Sequence, residues 1–132
     1  MFNPQQALLQ YSNVENSVKA ENSTAYDLTK MLFDGCLKAM SLTIFHIKNK
    51  DFSSKSIELS RSLSIINGLR DCLDLEKGGE LASNLDELYQ YMARSLRESS
   101  VSNDIVKIQH VHELLREIRS GWEAMPVESR RY

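Results

Sequence analysis

Proline occurs at Pro4 and Pro126 and nowhere else in the 132 residues of this chain. Its ring fixes φ and removes a backbone donor, so an interior proline ends or kinks a helix. Confinement to the two ends leaves the whole intervening stretch free to be helical, and the apolar positions there use that freedom. Leu28, Leu32, Leu37, Met40 and Ile44 or Ile47 share one face of a first helix, opened by the capping-box-like Thr24-Ala25-Tyr26-Asp27 and closed by Lys48-Asn49-Lys50-Asp51. A second helix is expected from Ser53-Ser54, carrying Ile57, Leu59, Leu63, Ile65, Ile66, Leu69, Cys72 and Leu73. Gly68 weakens it by about 1 kcal/mol relative to Ala, a cost that packing overrides.

The Gly78-Gly79 pair marks a chain reversal, since glycine tolerates positive φ. Beyond it Leu81, Leu85, Leu88, Met92 and Leu96 recur at helical steps, and Asn103-Asp104 caps a fourth helix with Ile108, Val111, Leu115, Ile118 and Trp122 in register. Four amphipathic helices joined by short polar turns hide their stripes together by packing antiparallel around one core. The expected fold is therefore all-α, an antiparallel up-down four-helix bundle over residues 21–125. A polar N-terminal arm (1–20) with scattered Leu8, Leu9, Tyr11, Val14 and Val18 precedes it, and a C-terminal tail (126–132) follows.

Several function classes fall away on composition. Sixteen basic against eighteen acidic residues give a net charge of -2, without the positive field that grips phosphates, so nucleic acid is not an expected partner. No stretch reaches the ~18 apolar residues of a membrane span, and no secretory leader is legible, so membrane insertion is not expected and the cytoplasm is the expected location. Cys36 and Cys72 sit within apolar helical patterns and read as buried free thiols.

Catalytic signals are equally thin. His110 and His112 lie two residues apart, about 200° around a helix, and cannot share a metal from one face. No Glu stands three positions before any of the three histidines, as the di-metal bundles require. No nucleophile elbow, phosphate loop or zinc motif is present. The reading is of a non-enzyme with no cofactor and no metal. A phosphorelay bundle, with one exposed helical His as phosphoryl acceptor, is the rival from another class; His46, among Ile44, Phe45 and Ile47, lacks the small neighbours such an acceptor needs. The tyrosines Tyr89 and Tyr91 beside Leu88 and Met92 suit either a groove lip that receives another chain or a wide core stripe.

Five blocks then stand together: Met31-Leu32-Phe33-Asp34-Gly35, Glu76-Lys77-Gly78-Gly79-Glu80, Asn84-Leu85-Asp86-Glu87-Leu88-Tyr89-Gln90-Tyr91-Met92, Asn103-Asp104, and Leu114-Leu115-Arg116-Glu117-Ile118-Arg119-Ser120-Gly121-Trp122. In this order and at this spacing, from about Tyr11 to Trp122, the chain resembles the flagellar secretion chaperones of flagellin, the FliS family. The resemblance implies a holding chaperone, without a catalytic site, for the C-terminal segment of newly made flagellin. It would prevent polymerisation in the cytoplasm and deliver its client to the flagellar type III export apparatus. It further implies that Leu8, Tyr11 and Val14 belong to a removable lid, Tyr11 falling at the family's characteristic tyrosine position. Partner contacts are expected at Leu32 and Phe33, at Ile65, Ile66 and Leu69, and at Leu85, Leu88, Tyr89 and Met92. A homodimer through the same groove is compatible with this reading.

Departures from the family pattern are Thr24-Ala25 in place of a Ser-Pro start, the bulky Tyr26 in the first turn, and Ser99-Ser100 in place of Ala-Asn. They leave open a diverged paralogue, or a regulatory adaptor that binds another flagellar protein.

Overall fold

A computed structural model of the chain describes residues 25–125, which form four helices: α1 (Ala25–Lys48), α2 (Phe52–Asp71), α3 (Gly79–Ser102) and α4 (Ile105–Ala124). Leu8, Tyr11 and Val14, expected to form a lid, Thr24, expected to cap α1, and residues 126–132 lie outside the described range.

Each joint has its own local chemistry. Lys50 takes a left-handed φ of 56° and Asp51 N donates to His46 O at 2.9 Å, closing α1. Asp51 then opens α2 by accepting from Ser54 N at 3.2 Å. The second helix therefore begins at Phe52, one residue earlier than the serine pair predicts, because the carboxylate before that pair already serves as the cap. In the turn before α3, Asp74 Oδ1 accepts from Glu76 N and Lys77 N, and Gly79 supplies the positive φ of 54°. Asn103, at φ 55°, ends α3 by donating its N–H to Ser99 O at 2.8 Å, and Asp104 Oδ1 caps α4 through Lys107 N at 3.1 Å.

Cross-helix contacts fix the topology. Arg119 Nε lies 2.8 Å from Asp34 Oδ1 as an ion pair, and Ser41 Oγ lies 3.3 Å from His112 Nε2, so α4 runs against α1. Lys55 Nζ donates to Ser100 O at 2.9 Å and Arg70 Nε to Asp86 Oδ1 at 2.8 Å, so α3 runs against α2. The helices close a ring in chain order, each packed on its two neighbours. The ring is uneven. Contact is most extensive between α1 and α2, where small, buried Ala39 and Thr43 neighbour Cys36, whose Sγ is 3.6 Å from Ser62 O; it is least extensive between α3 and α4.

The core draws on all four helices: Leu32, Phe33 and Met40; Leu59, Ile65, Ile66 and Leu69; Tyr89, Met92 and Leu96; Ile108, Val111, Leu115 and Trp122. Full burial of such side chains supplies ~1.5–3 kcal/mol each before conformational entropy is set against it. The α3 stripe departs from the expected one. Leu81 stands 48% exposed while Tyr89 is 1% exposed, so the buried face turns toward Ala82, Tyr89 and Ala93. Among the described residues, no helix is long and apolar enough to cross a membrane.

Candidate functional site: an apolar strip between α3 and α4

The loosest of the four seams carries two rows of apolar side chains that stay partly in contact with solvent, while Phe45, Phe52 and Ile57 are exposed singly elsewhere. Its register is set where Lys107 Nζ meets Glu98 Oε1 at 3.2 Å and where the rings of Tyr91 and His110 meet edge-on, centroids 6.4 Å apart. Residues three and four apart share a helix face. Stepping back along α3 from Tyr91 therefore brings Leu88, Leu85 and Leu81 to the seam, and stepping forward along α4 from His110 brings Leu114, Ile118, Gly121 and Met125. All six apolar side chains of these two rows are half-buried or, at Leu81, exposed. Together they form a strip that runs away from the Asn103-Asp104 turn.

At the same end of the bundle lies a cavity of about 30 Å³, lined by Thr29, Phe33, Leu69, Cys72, Leu73, Tyr89 and Trp122. It is the size of a single water molecule. Burial pushes the Cys72 thiol up to about 11, against a smaller opposing effect of the Thr29 hydroxyl, and raises the fully buried Cys36 further. Both thiols are protonated at neutral pH, and the thiolate is the reactive form.

The titratable groups do not converge. His46 Nδ1 lies 4.0 Å from Asp51 Oδ2 at one end of the bundle, His110 is exposed against Tyr91, and His112 faces Ser41 on the α1–α4 seam. Burial, aided by Arg116, lowers the His112 imidazole from its usual range. No group of three or more His, Cys, Asp or Glu side chains among the described residues is arranged to hold a metal ion. What the strip offers is apolar area for another chain to cover.

The contact residues expected from the sequence separate into two sets. Leu32, Phe33, Ile65, Ile66, Leu69, Tyr89 and Met92 are all interior, at most 2% exposed, and hold the helices together in this closed arrangement. Tyr89 in particular belongs to the core and forms no groove lip; Tyr91, 38% exposed, takes the rim position. Leu85 and Leu88 lie on the strip. Sequence reasoning placed no contact on α4, although Leu114 and Met125 sit off the row of Val111, Leu115 and Trp122, and such surplus apolar positions were the available signal.

The family model described as "Flagellar protein FliS" matches residues 6–129. Among similar proteins, the flagellar secretion chaperone FliSB of Pseudomonas aeruginosa is 35% identical over 119 residues, covering 90% of this chain and 94% of the relative. The flagellar secretion chaperone FliS of Salmonella typhimurium is 38% identical over 114 residues, covering 86% and 84%. That of Escherichia coli is 36% identical over 111 residues, covering 83% and 80%.

Proposed function

The chain belongs to the FliS family of flagellar secretion chaperones, and from that premise we propose that it binds the C-terminal segment of newly made flagellin in the cytoplasm. It holds that segment out of premature polymerisation and hands it to the flagellar export apparatus. The observation that carries the binding mode is the apolar strip of exposed Leu81 and half-buried Leu85 and Leu88 on α3 with half-buried Leu114, Ile118 and Met125 on α4. A segment that ends up packed among helices in a filament exposes apolar side chains while free, and covering them removes the nucleus for assembly. A strip between two helices accepts such a segment as one more packing layer.

Leu85 and Leu88 make direct client contact on this reading, while Leu32, Phe33, Ile65, Ile66, Leu69, Tyr89 and Met92 reach a client only if helices part. Residues 1–20, with Leu8, Tyr11 and Val14, act as a removable cover over exposed apolar area. Holding needs no nucleotide, because occupancy follows from mass action.

Retention of purified flagellin, full-length and truncated, tests the reading. The chain is expected to retain the full-length protein and to lose the form without its C-terminal segment. Equal retention of both refutes the binding mode. Retention of neither, alongside capture of a different flagellar protein, favours the adaptor. Deletion of residues 1–18 is expected to leave helicity intact and increase binding of a hydrophobic dye; unchanged dye binding counts against the cover.

A further inference from the structure

Gly121 lies inside α4, three residues before its last residue, and a side chain placed there meets nothing within 4 Å. Its φ is not in the left-handed region, and it does not cap the helix. Glycine in such a position weakens a helix relative to alanine, and no contact within the described residues requires it. It sits on the strip face, three residues after Ile118 and four before Met125, and is itself exposed. A missing side chain at a solvent-facing point of an apolar strip lets another backbone come close.

Carboxylates left without an ion-pair partner stand along the edges of the same strip. Glu87 and Glu80 lie four and eleven residues before Tyr91, on its line along α3, and Glu117 lies seven after His110, on its line along α4. All three are exposed, and none forms an ion pair among the described residues. Of the cations nearest by sequence, Arg116 beside Glu117 pairs with Glu113, Arg119 with Asp34 and Glu123, and Lys107 with Glu98, while Lys77 before α3 and Arg94 over the Tyr91 ring at 5.7 Å stand beyond the two ends of the acidic stretch on α3.

We propose that the strip takes an amphipathic helix with Lys or Arg flanking its apolar face, and that the helix backbone crosses α4 at Gly121. This rests on the client-binding reading above and adds to it the charge of the client helix and its crossing point. Apolar burial supplies affinity; the flanking charges set orientation and encounter rate.

Two synthetic helices with the same apolar face, one with Lys flanks and one with Glu flanks, test the proposal by titration against the full chain at low and at physiological salt. The Lys-flanked peptide is expected to bind about tenfold more tightly, with the preference shrinking as salt rises. Gly121→Leu is expected to weaken that binding by at least about tenfold while α4 stays folded, as circular dichroism reads; Gly121→Ala is expected to raise the melting midpoint and weaken binding less. Equal binding of the two peptides, or unchanged binding by Gly121→Leu, overturns the proposal. So does a wild-type dimer in light scattering that Gly121→Leu makes monomeric, since the occupant is then a second copy. Flagellin retention measured in parallel separates the two readings: a wild-type chain that retains flagellin while both peptides bind alike keeps the proposed function and loses this one.

Discussion

Tyr26, in the first turn of α1, stacks on Trp122, in the last turn of α4, with ring centroids 4.7 Å apart and planes 15° from parallel. Phe33 meets the same indole at 5.4 Å, tilted by 49°. Aromatic pairs of this kind contribute ~0.5–1.5 kcal/mol beyond the area they bury. Trp122→Ala is therefore expected to cost ~3–5 kcal/mol, lowering the urea midpoint with little change in slope. A double-mutant cycle with Tyr26→Ala should return a coupling of about 1 kcal/mol; zero coupling would mean the stack adds nothing.

Asn103 and Asp104 turn the chain from α3 into α4 within two residues. At φ 55°, Asn103 occupies a region that a β-branched residue resists. Asn103→Gly is expected to be tolerated, whereas Asn103→Val should lose ~1–2 kcal/mol. Asp104→Ala should lose ~1 kcal/mol through the orphaned Lys107 N–H. Thermal unfolding of the three variants checks the ranking.

Asp86 accepts from Arg70 Nε and from Gln90 Nε2, each at 2.8 Å, and the Arg70 hydrogen bond is the larger cause of its lowered pKa. A carboxylate whose pKa is depressed by folding adds stability above its unfolded value, about 3.9, and that stability is lost as pH falls through the folded value. Both partners are partly exposed, so the contribution is under about 1 kcal/mol. Asp86→Asn should thus melt slightly below wild type at neutral pH, with the gap closing below the carboxylate range. A gap independent of pH would assign the effect to packing.

The two thiols should resist alkylation in the native chain. Cys72, pushed up to about 11, is expected to react slowly at neutral pH and faster as pH climbs, and fully buried Cys36 to wait for unfolding. Mass-resolved labelling with iodoacetamide, native and in denaturant, gives the order; rapid labelling of Cys36 in the folded chain would contradict its burial.

Helix number, order and turns follow from local chemistry, which is why the Asn103-Asp104 cap and the Gly78-Gly79 reversal were legible without coordinates, whereas Asp51, the cap of α2, reads from sequence as the end of α1. The candidate site was less so. Periodicity separates a helix's wet side from its dry side, but it does not say which dry residues face the centre and which face a seam. Tyr89 and Leu88 are adjacent in sequence and both apolar enough for a core; the rotation of α3 within the assembled ring, with Arg70 of α2 paired to Asp86, buries the first and leaves the second at the edge. Leu114, Ile118 and Gly121 were missed for the same reason, since the loosening of one seam is a property of the whole ring.

The brevity of the α3–α4 connection limits how that seam can yield. With two residues between Ser102 and Ile105, and Lys107 held to Glu98 just beyond, the pair has no slack at that end. Any widening must swing like the blades of shears about a pivot at Asn103, with the gap largest between Leu81 and Met125. On the proposed reading, a client chain would enter from the tips and stop at the pivot, at a depth set by how far the blades part.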